Sequence, residues 1–189
     1  MNLKTFKSTL LVLLLASTFG CSTAPTHLIV SPQVNLSPSN QLSGKEAKLS
    51  VIDMRTSTHI IQILEKDEAA VILSSEQRLE GIIEELLMKQ WQQQGLTLSD
   101  SANNKVIVTI EKAVISVEQE SVSYSTQSEI IIKVSIDNTK QTLTSNFKNR
   151  AHSEGALNAD VAVLEREFNQ HLSTLIEQIL TSKDIKTFL

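Results

Sequence analysis

One cysteine, three prolines, five glycines, one tryptophan and one tyrosine are all that this 189-residue sequence holds of those residue types. A single Cys excludes an intramolecular disulfide framework and a Cys-rich zinc site. Gly81, Gly95 and Gly155 each stand alone, so there is no phosphate-cradling loop. Aromatic residues make up only 4% of the chain, which argues against a sugar-stacking surface. Positive charge is not in excess either: 17 Lys and Arg against 21 Asp and Glu leave a net charge of −4. A nucleic-acid binder needs a basic stripe to displace phosphate counterions, so no nucleic-acid partner is expected. With 41% hydrophobic and 20% charged residues, the chain suits one globular domain.

No apolar run is long enough to remain in a bilayer as a spanning helix. Lys4 and Lys7 precede an apolar run from Leu10 to Ala16, then come Ser17, Thr18, Phe19, Gly20 and Cys21. This layout is that of a secretory signal peptide over residues 1–20. The only Cys stands directly after the small residue Gly20, where such a signal is cut. The site resembles a bacterial lipobox, in which the Cys thiol receives a diacylglyceryl group, cleavage follows before the Cys, and the new α-amine is acylated. It departs from that pattern at Thr18 and Phe19, where a Leu and a small residue are usual; the alternative is an ordinary secretory signal with an incidental Cys. Each buried methylene contributes about 0.8 kcal/mol, so several acyl chains on Cys21 would hold the protein to a membrane essentially permanently. Ser22 follows the Cys where an Asp would retain the protein at the inner membrane; by resemblance to that sorting rule, the expected address is the periplasmic face of the outer membrane. Losing the signal removes Lys4 and Lys7 and takes the net charge from −4 to −6. An acidic domain gains no attraction to anionic lipid, so the lipid would be its only hold on the membrane.

Pro25, Pro32 and Pro38 all lie between Cys21 and Gly44 among Ser, Thr, Asn and Gln. Residues 21–44 therefore read as the lipidated Cys and an extended tether, reaching roughly 70 Å at about 3.1 Å per residue. The apolar piece Leu28, Ile29, Val30 is equally consistent with an edge strand docked on the domain. Residues 45–189 read as a single domain. Lys48 to Met54 is a strand, and His59–Leu64 with Ala69–Leu73 forms a hairpin around a charged turn. Leu79, Ile82, Ile83, Leu86, Leu87 and Trp91 recur at helical spacing over Ser75–Gln94, with Ser74 and Gln77 at capping-box separation and Gly95 past the end. A β meander follows. Val106, Val108 and Ile110 hold one parity while Ala113, Ile115 and Val117 hold the other, which predicts a bulge near Glu111 and Lys112. Tyr124 to Ile136 alternates cleanly and reads as a central strand; Leu143 to Arg150 is a third. Val161 to Leu180 is a second amphipathic helix with Asn158 as its expected cap and Asp160 at its positive end. Together these predict an α+β fold: an antiparallel meander sheet packed on one face by two amphipathic helices, a two-layer sandwich.

Several of these segments carry a resemblance. Cys21, the segment Ile29–Leu36, the triplet Asp53-Met54-Arg55, the helix to Gly95, the segment Glu154-Gly155-Ala156 and the terminal helix are together similar to the YajG family of Gram-negative envelope lipoproteins. That resemblance implies location and architecture; it carries no catalytic residues. The residues themselves point the same way. Asp53 and Arg55 share a strand face and form a candidate polar site, whose alternative role is to fix the turn that follows. His27, His59, His152 and His171 show no ligand spacing, and His152 with Glu154 falls short of the three or four ligands zinc requires, so neither a metal nor any other cofactor is expected. No Ser stands in a nucleophile elbow.

The expectation is a non-enzymatic accessory or scaffold lipoprotein, held to the membrane through lipid on Cys21 and binding an envelope protein. The alternative is a small-ligand or glycan-binding module, which a concave pocket would favour; a hydrolase ranks third, and a buried nucleophile touching a His would raise it. Partner contact or self-association is expected at an edge near Ile60 and Val71 or at the turn Asp53–Thr58. Cys21→Ser should leave an uncleaved, unlipidated precursor in the cell; metabolically incorporated palmitate on that variant would contradict the assignment.

Overall fold

A computed structural model describes residues 27–189. The signal segment, Gly20, Cys21 and Ser22 lie outside the described residues. The architecture is mixed α+β: a curled, open sheet of eight strands with two long helices and a short terminal one. The strands are β1 (His27–Leu28), β2 (Glu46–Asp53), β3 (His59–Glu65), β4 (Val71–Ser75), β5 (Thr97–Leu98), β6 (Lys105–Gln119), β7 (Ser123–Asp137) and β8 (Thr142–Ala156). The helices are α1 (Leu79–Gln93), α2 (Val161–Thr181) and α3 (Lys183–Phe188).

Strands β6, β7 and β8 form the antiparallel meander, with β7 between the other two along its whole length. The remaining edge of β6 is shared end to end by two strands that run parallel to it. Lys48–Asp53 of β2 pairs with Lys105–Ile110, and Ile61–Glu65 of β3 pairs with Ile115–Gln119. Beyond them β4 runs antiparallel to β3, while β1 and β5 add parallel to β4 and β2. The sheet is therefore mixed, where the sequence reading expected a purely antiparallel one. Period-two alternation reports which face a side chain takes and says nothing of the neighbour's direction; here α1 carries the chain across, which allows a parallel return. The predicted irregularity at Glu111 is present: the β6–β7 register shifts between Ile110 and Lys112, where the buried parity changes.

The expected edge also moves. Strand β3 is internal, with Ile60 and Ile61 fully buried, and β1 covers β4 at Ser74 and Ser75. The long open edge among the described residues is β8, which pairs with β7 alone. Leu157 N donates to Val122 O at 2.9 Å and Asn138 N to Gln141 O at 3.2 Å, in register with the β7–β8 ladder. The odd-numbered residues of β8 thus bond inward to β7. The even-numbered residues from Thr142 to Ala156 turn both backbone groups outward. Strand β8 runs on past the expected end at Arg150 because Gly155 admits the Tyr124 ring opposite it. A Cβ there would lie 2.4 Å from Tyr124 Cε1.

Two helix starts differ from expectation. Ser74 and Ser75 belong to β4, so the expected capping box does not form; α1 begins behind Arg78 without a side-chain cap. The cap of α2 is Asp160, whose carboxylate accepts from Ala162 N at 2.8 Å, rather than Asn158. Leu79, Ile83, Leu87 and Trp91 of α1 and Leu164, Phe168, Leu172, Leu175, Ile176 and Ile179 of α2 are buried in one core with the inward residues of β6 and β7. Each such side chain contributes roughly 1.5–3 kcal/mol by leaving water.

The expected tether is, from His27 onward, part of that core. After β1 the chain stays extended and runs between the helices, burying Leu28, Val30, Pro32 and Val34 on one parity. On the other parity its backbone is read by α2: Ile29 N donates to Glu165 Oε2, Ser31 N to Asn169 Oδ1 and Gln33 N to Ser173 Oγ, at 2.8, 2.8 and 2.9 Å. Two extended residues advance about 6.6 Å and four helical residues about 6 Å, so the two ladders stay in step. Pro32 costs nothing here, since its missing N–H falls on the parity that does not face α2. Further on, Gln90 of α1 reaches Val34 O, and Ser39 N and Leu42 N donate to Gln93 O and Gln94 O. Asn169 also donates to Ile29 O at 3.0 Å, so it grips the strap twice. Asn169→Ala should therefore lower stability by about 1–2 kcal/mol, read as a reduced urea midpoint at unchanged slope; an unaltered midpoint would show that the strap contributes nothing.

Candidate functional site

The break between β2 and β3 spans residues 54–58 and lies opposite the bulge in β6. A ladder interrupted on one side leaves backbone acceptors without strand partners, and buried carbonyls without donors are costly. The triplet at the end of β2 repairs the gap. Met54 N donates to Ile110 O at 3.0 Å, continuing the ladder by one bond. Arg55 then turns its guanidinium into the break, donating from Nη1 to Ala113 O at 3.2 Å and to His59 O at 3.4 Å. Asp53 holds it there: Oδ1 accepts from Arg55 Nε at 2.9 Å and from its backbone N–H at 3.1 Å, and Oδ2 accepts from Nη2 at 2.7 Å. Sequence spacing placed the two side chains on one face, and the structure joins them in a fork-to-fork pair.

The Arg55 side chain is 4% exposed and that of Asp53 13%. Burial pushes the Asp53 carboxyl up, but hydrogen bonds from the Arg55 side chain and backbone, with the charges of Arg55 and Arg78, hold it below the usual carboxylate value. Arg55 forms the wall between two clefts. One, of about 350 Å³, is bounded by Asp53, Thr58 and the β4–α1 connection through Arg78. The other, of about 330 Å³, opens beside the bulge between His59, Gln62 and Lys112. All three guanidinium nitrogens are already spent on protein acceptors, so the pair closes the sheet and offers neither cleft a charged donor.

Other polar groupings were not visible in the sequence. Ser128 Oγ lies 3.0 Å from His171 Nδ1, and Ser128 is 5% exposed. This is a buried hydroxyl touching a His. It ties β7 to α2, and among the described residues no carboxylate is hydrogen-bonded to His171 to orient it as a base. On the opposite face of the sheet Glu129 accepts from Lys112 Nζ and Arg150 Nε, each at 2.5 Å. The hydrogen bond from Lys112 is the larger cause that holds Glu129 below the usual carboxylate value, against burial and with help from Arg150. His152 Nε2 lies 3.4 Å from Glu154 Oε1 on the exposed face of β8. Among the described residues no group of three His, Cys, Asp or Glu is placed to hold a metal ion. Gln119 is a structural hub: its amide bonds the backbone of Glu120, Ser123, Leu157 and Ala159, locking the β6–β7 turn to the β8–α2 loop.

A family profile described as an uncharacterized lipoprotein matches residues 32–189. The chain belongs to this family, the YajG family of lipoproteins. No curated protein matches it significantly. Solved structures similar to this YajG-family chain include protein XCC0632 of the DUF330 family from Xanthomonas campestris, 13% identical, with a TM-score of 0.60 over 87% of this chain and 97% of that one. A putative neuraminyllactose-binding hemagglutinin homolog from Helicobacter pylori is 11% identical, with a TM-score of 0.50 over 86% of this chain and 95% of that one. At such identities the likeness is one of fold alone. The rare lipoprotein B of Shewanella oneidensis also matches, 13% identical over 68% of this chain and 98% of that one, with a TM-score of 0.38. Family membership places the chain among envelope lipoproteins, and among the described residues no helix is long and apolar enough to cross a membrane.

The Asp53–Arg55 pair sets an acid-side dependence. A carboxyl held below its ordinary value of 3.8 contributes stability that is fully present above that pH and is lost as the pH falls through the lower folded value. Arg55→Ala should cost about 3–5 kcal/mol, because it strands a buried carboxylate and the carbonyls of His59 and Ala113. Asp53→Asn should flatten the fall in stability below pH 4, measured by urea unfolding across pH. A mild loss in Arg55→Ala would mean that the gap in the ladder closes by other means.

Proposed function

We propose that this protein is a lipoprotein anchored through acylated Cys21 at the periplasmic face of the outer membrane, acting there as a non-enzymatic accessory domain for an envelope protein. The observation that carries this reading is the spent state of its candidate polar site: Asp53 and Arg55 satisfy each other and the broken ladder, leaving a structural plug where a ligand site was conceivable. The Ser–His contact supports the same view, since it bridges a strand and a helix beneath the sheet. Family membership agrees with the lipid reading of Cys21.

A glycan-binding role is the second reading, favoured by the name of the Helicobacter pylori protein of similar fold. Against it, the single Trp is fully buried and so cannot stack on a sugar ring.

The surface best suited to a protein partner is the open edge of β8. Its even-numbered residues from Thr142 to Ala156 aim backbone donors and acceptors at solvent, a template for strand addition by an extended segment of another envelope protein. Because the odd-numbered residues hold β7, a proline at an even position removes one outward donor and leaves the internal ladder intact. Asn146→Pro and Lys148→Pro should abolish crosslinks from the native envelope while circular dichroism stays unchanged; Ile72→Pro, on β4 at the far side of the sheet, should leave them in place. Crosslinks that survive both β8 variants would put the partner elsewhere, and saturable binding of sialyllactose would favour the glycan reading.

A further inference from the structure

All three turns at one end of the sheet come to the same level. Glu65, the last residue of β3, pairs with Gln119, the last of β6, and Ser123, the first of β7, pairs with Ala156, the last of β8. The β3–β4 turn, the β6–β7 turn and the β8–α2 loop therefore lie side by side. The same end carries Leu64, Val71, Ile72, Val122 and Leu157, half of the exposed large hydrophobic side chains among the described residues; Val122 and Leu157 are each 71% exposed. Leu157 also holds a φ of 65°, a left-handed conformation that costs a branched side chain energy, yet the side chain packs against nothing in the fold. Its backbone is used by Val122 and Gln119, and its side chain is left to solvent.

The chain enters the domain from this end. β1 runs parallel to β4, with His27 opposite Ser74, so residues preceding His27 approach from the side of Val71 and the β3–β4 turn. Between Cys21 and His27 lie residues 22–26, which give a reach of about 20 Å at full extension. About 10 Å of that is needed to pass from the level of Ser74 to that of Val71, three residues up β4. The strap takes away the rest of what the sequence suggested as tether. The leash that remains is shorter than the domain, whose 15-residue strands span about 50 Å.

We propose that this end of the sheet, led by Val122 and Leu157, is a membrane-docking surface whose apolar side chains enter the lipid interface beside the acylated Cys21. The proposal rests on the lipid reading of Cys21 given above, and it adds an orientation: strands stand upright on the bilayer, with the β8 edge presented sideways to partners. The attraction is apolar, because Glu65, Asp67, Glu68, Glu118 and Glu120 surround the patch and Lys66 is the cation among those turns. Docking is therefore favoured on zwitterionic lipid and weakened by anionic lipid.

The test uses the full acylated chain in phosphatidylethanolamine-rich vesicles carrying spin-labelled acyl chains. Acylation blocks the native thiol, so a fluorophore on Val122→Cys, Val71→Cys or Lys140→Cys reports one site each; Lys140 lies in the β7–β8 turn at the opposite end. The expected result is a blue shift with quenching at positions 122 and 71 and neither at 140, lost when Leu157→Glu is added while the protein still floats with the vesicles. Flotation without quenching at 122 and 71 would overturn the docking and leave the anchorage standing. Failure to float would overturn the lipid reading and the docking with it. Shielding of position 122 that grows with protein concentration in the absence of vesicles would show a second copy covering this end, and would overturn the proposal.

Discussion

Three hydrogen bonds from an extended strap to one face of α2 decide what kind of molecule this is. Glu165, Asn169 and Ser173, four residues apart, accept from Ile29, Ser31 and Gln33, two residues apart. The spacing works because extended and helical chains advance by nearly equal steps over those counts. With its backbone held, the strap sinks Leu28, Val30 and Val34 between the helices. A leash of two dozen residues becomes one of five, and the domain is brought close to whatever its N-terminus is fixed to.

The sheet is organised around a second constraint, the bulge in β6. It reverses the buried parity halfway along a 15-residue strand, and the neighbouring edge cannot follow without a break. Strands β2 and β3 are the two pieces of that interrupted neighbour. Arg55, held by Asp53, occupies the interval and supplies donors where the ladder has none. The same device explains why the most conspicuous polar pair in the domain is unavailable for chemistry: its hydrogen-bonding capacity goes into closing the fold.

What was legible in the sequence was whatever depends on facing. The stripes Leu79 to Trp91 and Leu164 to Leu180, the alternation from Tyr124 to Ile136 and the parity change at Glu111 each record which side of an element meets the core. Direction and partnership were not legible. Lys48–Asp53 has the same alternation whether its neighbour runs parallel or antiparallel. The strap's alternation was masked by Pro32, and its acceptors Glu165, Asn169 and Ser173 look like an ordinary solvated helix face. Arg55 was visible as a candidate, but its key acceptor, the carbonyl of Ala113, is 58 residues away and belongs to the backbone. Nothing in a side-chain pattern marks such a group.

The account stands or falls on residues 27–36 being folded structure in the intact protein. Amide hydrogen exchange, resolved by residue, measures this directly. Exchange at Ile29, Ser31 and Gln33 slowed to the level of the α2 amides between Phe168 and Ile176 is the predicted result. Exchange at those three amides as fast as in an unstructured peptide, with α2 still protected, would contradict it and restore the long tether.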